Sequence, residues 1–244
     1  MTTFALIQAR TPDEVVGPQE LASFAEYLGL GPTDITPVSA LDGAMDVPWL
    51  AEQFDAVLVG GSGKFGVQDD QPWLRAFFDT LGALADQDVP MFASCFGFQG
   101  LCMALGAPVR TLKDRAEVGT YVVQTTPQAA DDPLFGGLPP QFNAQLGHKD
   151  SAVRLPPGAV WLAQSERCPY QAMRLGQNVW ATQFHPELDA ATNRRRFEQY
   201  YQQYRATMGE ERARALLDAF ADSPEASGLL KTFADRVLDD RQGS

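Results

Sequence analysis

The fold is decided by the stretch Pro90-Met91-Phe92-Ala93-Ser94-Cys95-Phe96-Gly97-Phe98-Gln99-Gly100. Its apolar first half predicts a strand over residues 89–93, and the segment after it predicts a helix over residues 97–105. Cys95 stands at the tight turn between them, where a side chain is lifted clear of the sheet edge. A thiol at a helix N-terminus is favoured in its thiolate form. The pattern therefore indicates a nucleophile, against the simpler alternative of a cysteine packed in the core.

The segments before this stretch repeat the order of strand and then helix. Apolar runs predict strands over residues 4–8 and 54–59, and helical spacing of apolar residues predicts helices over residues 18–28 and 72–84. Strands that alternate with helices form parallel sheets covered on both faces. The sequence therefore predicts an α/β fold with a mostly parallel central sheet flanked by helices.

The second half of the chain is expected to contain short strands and then only helices. Short apolar runs between turn-rich stretches predict strands near residues 121–123, 160–163, 171–174 and 179–184. Helical spacing follows over residues 193–207, 210–221 and 224–238. We expect residues 1–204 to form one domain and residues 205–244 to form a helical extension that packs on it.

Composition excludes several classes of protein. The chain has 244 residues, of which 45% are hydrophobic, and its net charge of −12 argues against a nucleic-acid partner, because phosphate binding needs clustered Lys and Arg. Its three cysteines are too few and too unevenly spaced for a disulfide framework or a zinc site. The N-terminus lacks the pattern of a signal peptide, and no apolar run is long enough to cross a membrane. We expect a cytoplasmic protein that does not associate with a membrane and does not bind a metal ion.

A second chemical motif lies in Gln183-Phe184-His185-Pro186-Glu187. In an extended segment residues two apart share a face, so Glu187 is placed to orient the His185 imidazole while that ring exchanges a proton with Cys95. Taken alone, a His and a Glu two residues apart are more often a solvated pair. The chain has two histidines, so His148 is the only rival base.

Together these motifs resemble the class I, triad-type glutamine amidotransferase family, in which a cysteine elbow is followed much later by His-Pro-Glu. The resemblance covers about residues 4–200 and favours the branch similar to the amidotransferase domain of GMP synthase. It implies a flavodoxin-like fold and a catalytic triad of Cys95, His185 and Glu187. The oxyanion hole would be formed by the backbone N–H groups of Gly61 and Phe96.

The same resemblance implies where the substrate binds. Gln99 matches the elbow glutamine, and His148, Lys149 and Asp150 match a stretch that holds the α-amino and carboxylate ends of the substrate in the family. Two departures are clear: Ala93 replaces a glycine of the elbow, and no proline follows the glycines of the loop at residues 60–66. The second departure leaves the register of the oxyanion donor open by about one residue.

Three functions remain open from the sequence. The first is a glutaminase or amidotransferase that releases ammonia from glutamine, alone or with a separate synthetase subunit. The second is a hydrolase of γ-glutamyl peptides or conjugates, and the third is a non-catalytic binding or regulatory domain of the same fold. The first two take a small-molecule substrate, glutamine or a γ-glutamyl compound, and no cofactor is implied. Phosphate binding by the loop at residues 60–66 is a further alternative, but Lys64 is not followed by Ser or Thr as a phosphate-binding loop requires. Cys102 and Cys168 are expected to be structural.

Overall fold

The computed structural model describes residues 3–242, and a central sheet of nine strands runs through this part of the chain. Its order is β2-β1-β3-β4-β11-β10-β9-β6-β7. The strands are β1 (Phe4–Gln8), β2 (Ile35–Ser39), β3 (Ala56–Val59), β4 (Met91–Ser94), β6 (Glu117–Thr125), β7 (Gln141–His148), β9 (Val160–Ser165), β10 (Ala172–Leu175) and β11 (Val179–Thr182). A separate antiparallel pair is formed by β5 (Val109–Thr111) and β8 (Asp150–Ala152).

The central sheet has a parallel part and an antiparallel part. Strands β2, β1, β3, β4 and β11 run parallel to one another, and β10, β9, β6 and β7 extend the sheet from β11 in antiparallel order. The parallel part requires helical crossovers, and the antiparallel part corresponds to the strand-rich second half that the sequence predicts. The α/β fold with a central sheet between helices is confirmed.

Helices cover both faces of this sheet. They are α1 (Val16–Leu28), α2 (Val47–Gln53), α3 (Pro72–Asp86), α4 (Phe96–Ala104), α5 (Ala190–Gln199), α6 (Tyr201–Met208), α7 (Glu210–Leu217) and α8 (Pro224–Gln242). The side chains of β1 alternate between two cores: Phe4 and Leu6 pack with α1 and α8, whereas Ala5 and Ile7 pack with α3 and α4. This alternation is the period of two that a buried strand imposes.

The last helix contributes to the first of these cores. Phe233 of α8 is fully buried and contacts the rings of Phe4, Phe92 and Trp180. Helix α6 runs across the boundary that the sequence suggests between residues 204 and 205. The division into a domain and an extension stays a prediction. No helix among residues 3–242 combines the length and the apolar character of a membrane span.

Candidate active site

Three neighbouring parallel strands end at the same edge of the sheet. The register pairs Val59 of β3 with Ala93 of β4, and Ser94 of β4 with Thr182 of β11. The residues that follow these strands are therefore brought together at the carboxyl edge, where open α/β sheets commonly bind ligands. These are the glycine loop after β3, Cys95 after β4 and the segment 183–187 after β11.

Cys95 occupies a strained turn. Its φ of 49° and ψ of −95° lie where residues other than glycine are rare, at a cost of about 1–3 kcal/mol. The turn is held by the Cys95 N–H, which donates to the Thr182 carbonyl at 2.7 Å. Ala93 is fully buried within β4, so the elbow accommodates its Cβ. Strain of this kind, sustained by the surrounding structure, is typical of a nucleophile elbow.

His185 and Glu187 form a buried pair beside Cys95. The Nδ1–H of His185 donates to Oε1 of Glu187 at 2.6 Å, and Glu187 is fully buried. Burial lowers the pKa of the His185 imidazole, but the charges of Glu187 and Cys95 outweigh it and raise the pKa to about 10. Burial raises the pKa of Glu187, but the neighbouring imidazolium outweighs it, so that pKa is lowered. The pair is thus arranged as imidazolium and carboxylate.

A cation stands behind this carboxylate. Nη1 of Arg196, on α5, lies 3.6 Å from Oε1 of Glu187, and the Arg196 side chain is only 12% exposed. Its charge also helps to lower the pKa of Glu187. Arg196 therefore favours the ionised form of the group that orients His185.

The glycine loop lies against the imidazole. A Cβ at Gly61 would fall 2.7 Å from Cε1 of His185, so only glycine fits at this position. The Gly61 N–H donates to the buried carboxylate of Glu20 at 3.1 Å, and Glu20 is paired with Arg10 at 2.8 Å. This carboxylate beside the loop disfavours phosphate there. Phe96 begins α4, where first-turn N–H groups have no intrahelical partner. The oxyanion roles of Gly61 and Phe96 stay predictions.

The elbow glutamine joins two parts of the site. Gln99 Nε2 donates to the backbone carbonyl of Asp150 at 2.9 Å and to Oε1 of Gln183 at 3.1 Å. The Asp150 carboxylate accepts a hydrogen bond from the Thr111 hydroxyl at 2.6 Å. Gln99 and Asp150 are therefore fixed beside the elbow, whereas the side chain of Lys149 is exposed.

His148 belongs to a second buried polar cluster. Its Nε2 lies 3.1 Å from the Glu117 carboxylate and its Nδ1 lies 3.0 Å from the Asp150 carbonyl. Both ring nitrogens therefore face oxygen atoms of neighbouring residues. Cys168 lies in the same group, with ligand atoms of Glu117, His148 and Cys168 all within 4.8 Å of one another. His148 is thus held by Glu117 rather than by Cys95, and the roles predicted for residues 148–150 stay predictions.

Aromatic residues lie near the glycine loop and Cys95. The hydroxyl of Tyr200 packs directly against Gly63 of the glycine loop, and Tyr204 of α6 stacks on Phe197 with ring centroids 4.7 Å apart. Burial, with the charge of Cys95 next in size, raises the pKa of the Tyr204 phenol to about 12. Only 7% of Cys95 is exposed. Cys95 is therefore largely shielded from solvent in this conformation.

Several residues of this site are not predicted from the sequence. Gln183 is within the quoted motif but received no role, although its Nε2 donates to Sγ of Cys95 at 3.6 Å. Its position directly after a strand next to the elbow strand was the available signal. Glu20 and Arg196 lie on helices and reach the site only through packing. No local pattern distinguishes them from surface charges.

The chain is similar to known proteins over most of its length. The family model for glutamine amidotransferase class-I matches residues 31–200. A glutamine-hydrolyzing GMP synthase from Thermotoga sp. strain RQ2 is 33% identical over 134 residues, which are 55% of this chain and 24% of that protein. The matched region thus spans about a quarter of the length of that relative.

Solved structures share the whole fold. A glutamine amidotransferase from Thermotoga maritima superposes with a TM-score of 0.77 at 24% identity, and the match covers 98% of each chain. A glutamine amido transferase from Methylobacillus flagellatus superposes with a TM-score of 0.68 at 18% identity, covering 98% of this chain and 94% of that one. These identities show a common fold alone, whereas the family match extends over most of the chain and includes the elbow and the segment 183–187. This chain belongs to the class I glutamine amidotransferase family.

Proposed function

We propose that this chain hydrolyses the γ-carboxamide of glutamine through a thioester on Cys95 and releases ammonia. One arrangement supports the proposal. Cys95 lies on a strained turn beside His185, and the Nδ1–H of His185 donates to the buried Glu187 carboxylate at 2.6 Å. A nucleophile, a base and an orienting carboxylate in this order are the components of covalent amide hydrolysis.

The first half-reaction forms the thioester. The Cys95 thiolate attacks the amide carbon, and the carbonyl oxygen becomes an oxyanion that the Phe96 N–H would stabilise. Each well-aimed donor of this kind contributes about 3–4 kcal/mol to the transition state. The carbon–nitrogen bond then breaks, and the His185 imidazolium gives its proton to the departing nitrogen, which leaves as ammonia.

The second half-reaction returns the enzyme to its starting state. Neutral His185 takes a proton from water, the resulting hydroxide attacks the thioester carbon, and the carbon–sulfur bond breaks to release glutamate and the thiolate. Glu187 remains ionised throughout and holds the ring in one tautomer. The low pKa of Glu187 agrees with this role.

The surroundings of Cys95 favour a small leaving group. Tyr200 packs against the glycine loop, and 7% of Cys95 is exposed. Ammonia needs little room on the leaving-group side, whereas a peptide needs an open cleft. We therefore expect glutamine to be a better substrate than γ-glutamyl peptides. The name of the GMP synthase relative suggests that the ammonia serves a synthetase partner.

Substrate cleavage by the purified chain tests the proposal. We expect ammonia and glutamate to form in equal amounts from glutamine, with slower cleavage of a panel of γ-glutamyl dipeptides and none by the Cys95→Ala variant. Faster cleavage of the dipeptides would replace glutaminase with peptidase activity. Release of glutamate from glutamine at the same rate by Cys95→Ala would refute the covalent mechanism.

A further inference from the structure

Gln183 is a buried amide that contacts the sulfur of the proposed nucleophile. It directly follows β11, is fully buried, and its Nε2 donates to Sγ of Cys95 at 3.6 Å. Its backbone N–H donates to the Gln171 carbonyl at 2.8 Å, and the Cys95 N–H donates to the neighbouring Thr182 carbonyl at 2.7 Å. Donor and sulfur are therefore held at fixed positions by two backbone hydrogen bonds.

The orientation of this amide follows from its neighbours. A backbone carbonyl only accepts hydrogen bonds, so the contact between Gln99 and the Asp150 carbonyl at 2.9 Å must involve the nitrogen of Gln99. The second hydrogen on that nitrogen points to Oε1 of Gln183 at 3.1 Å. The oxygen of Gln183 is thereby occupied, and its NH₂ group is directed at Cys95. The Asp150 carbonyl, which can only accept, thus fixes which atom of each side-chain amide is the oxygen and which is the nitrogen.

The charge on the sulfur decides what this donor does. A hydrogen bond to an ionised acceptor is about twice as strong as one between neutral groups, so the contact favours thiolate over thiol. It also holds the sulfur on the side of the turn that faces His185. His185 supplies a positive charge to the thiolate, whereas Gln183 supplies a neutral donor that does not depend on pH.

We propose that Gln183 is a catalytic residue that stabilises the Cys95 thiolate through its side-chain amide and fixes the sulfur for attack. This inference rests on the proposed function, because it takes Cys95 to be the nucleophile. A purely structural Gln183 would fill space and satisfy Gln99, and its replacement would alter stability without changing the ionisation of the thiol.

The test measures alkylation of Cys95 by iodoacetamide as a function of pH, followed by mass spectrometry of the Cys95 peptide. It needs no substrate and no turnover. Burial raises the pKa of Cys102 to about 12 and also raises that of Cys168, so both react slowly near neutral pH. Cys95→Ser gives the blank rate.

Two variants at position 183 and one matched control are compared with the wild type. Gln183→Met removes the donor and keeps the volume, and Gln183→Glu keeps the shape but replaces the donor with an acceptor. The control is Gln145→Met, which removes a buried amide that donates to Ala221 at 2.7 Å and to Ser223 at 3.1 Å rather than to Cys95. Thermal unfolding of each variant shows whether it is folded before alkylation is measured.

We expect Gln183→Met to move the midpoint of the pH–alkylation profile upward by about one unit, the size of one charge-assisted hydrogen bond. Because thiolate reactivity increases with basicity with a Brønsted slope of about 0.4–0.5, the plateau at high pH should rise about threefold. Alkylation near neutral pH should therefore slow while alkylation at high pH accelerates. Gln183→Glu should shift the midpoint further, and Gln145→Met should leave the profile unchanged.

An unchanged midpoint in folded Gln183→Met and Gln183→Glu would overturn the inference, and so would an equal shift in Gln145→Met. The glutamine assay separates this result from the proposed function. If the wild type cleaves glutamine and the profiles do not move, only the role of Gln183 fails. If the profiles move but glutamine is not cleaved, the thiolate is stabilised as proposed and the assigned reaction is wrong.

Discussion

At the scale of single residues, the proposed reaction depends on how charge is distributed around His185. Glu187 is fully buried and its Oε1 accepts from the imidazole at 2.6 Å, while Arg196 stands 3.6 Å from the same oxygen. A buried carboxylate with these partners is costly to replace, because each partner is then left without its counter-charge. The orientation of the imidazole should therefore depend on this one side chain.

Replacing Glu187 by Gln tests that dependence. We expect kcat/KM for glutamine to fall by roughly 10³- to 10⁴-fold, the scale seen when the orienting carboxylate of a triad becomes an amide. Glu198→Gln, on an exposed part of α5 where Glu198 pairs with Arg194 at 3.1 Å, is the matched control and should retain activity. Equal activity of Glu187→Gln and the wild type would remove Glu187 from the mechanism.

The pH dependence of activity should reflect the titration of His185. Burial lowers its pKa, but Glu187 and Cys95 raise it to about 10, so the imidazolium that protonates the leaving nitrogen persists through neutral pH. As pH rises through about 10 this proton is lost, and kcat/KM should decline. In Glu187→Gln the main raising charge is gone, so the decline should begin at lower pH. A pH–rate series on both proteins checks the shift, and identical alkaline limbs would contradict it.

At the scale of elements, helix α4 must approach the sheet closely to hold the elbow. A Cβ at Gly97 would lie 2.8 Å from Cβ of Val59 and 3.0 Å from Cβ of Ala93. These atoms belong to β3 and β4 and cannot move without disturbing the turn at Cys95. Close packing of this helix therefore helps to hold the turn at Cys95.

Gly97→Ala should lower the free energy of unfolding by about 1–3 kcal/mol, the usual cost of overpacking. The control is Gly228→Ala in α8, where nothing lies within 4 Å of the new Cβ. That change should stabilise the protein by about 0.4–1 kcal/mol, because it restricts the unfolded chain. Urea unfolding of both variants gives the comparison, and similar values for the two would show that α4 is not tightly packed.

The sequence predicted those elements whose periodicity is strong and continuous. Strand Phe4–Gln8 was predicted with its observed bounds, and the strand and helix on either side of Cys95 differ from the structure by one or two residues. Strand β2 was missed because Pro37 lies within it, which is tolerated since β2 forms an edge of the sheet. The single helix expected over residues 193–207 is divided at Tyr200, whose backbone leaves the helical region.

The site was less predictable than the fold. Cys95, His185 and Glu187 stand out because each lies in a short motif directly after a strand. Glu20 and Gln183 act on the site through contacts between residues distant in sequence, with separations of 41 and 88 positions. Such contacts depend on strand order, which single-sequence periodicity does not specify.

At the scale of the whole molecule, the C-terminal helix is part of the core beneath the sheet. Phe233 of α8 contacts the rings of Phe4, Phe92 and Trp180, which lie on β1, β4 and β11. The region predicted as an extension therefore contributes to the same core as the strands that carry the site. We expect stability to depend on it strongly.

Phe233→Ala should reduce the free energy of unfolding by about 3–5 kcal/mol, as is usual for a fully buried aromatic ring. Asp239→Ala, at an exposed position of the same helix, should change it by less than about 0.5 kcal/mol. Denaturant unfolding measures both. A small effect of Phe233→Ala would mean that α8 packs loosely and that residues 205–244 behave as a separate extension.

A thioester on Cys95 can be detected directly as a covalent intermediate. Wild-type protein mixed with glutamine and quenched in acid within one turnover is analysed by mass spectrometry, beside Cys95→Ser. We expect the wild-type protein to gain the mass of one γ-glutamyl group. The group should be located on the Cys95 peptide and be lost as glutamate appears. Glutamate formation by Cys95→Ser at the wild-type rate, or an adduct on another residue, would contradict it.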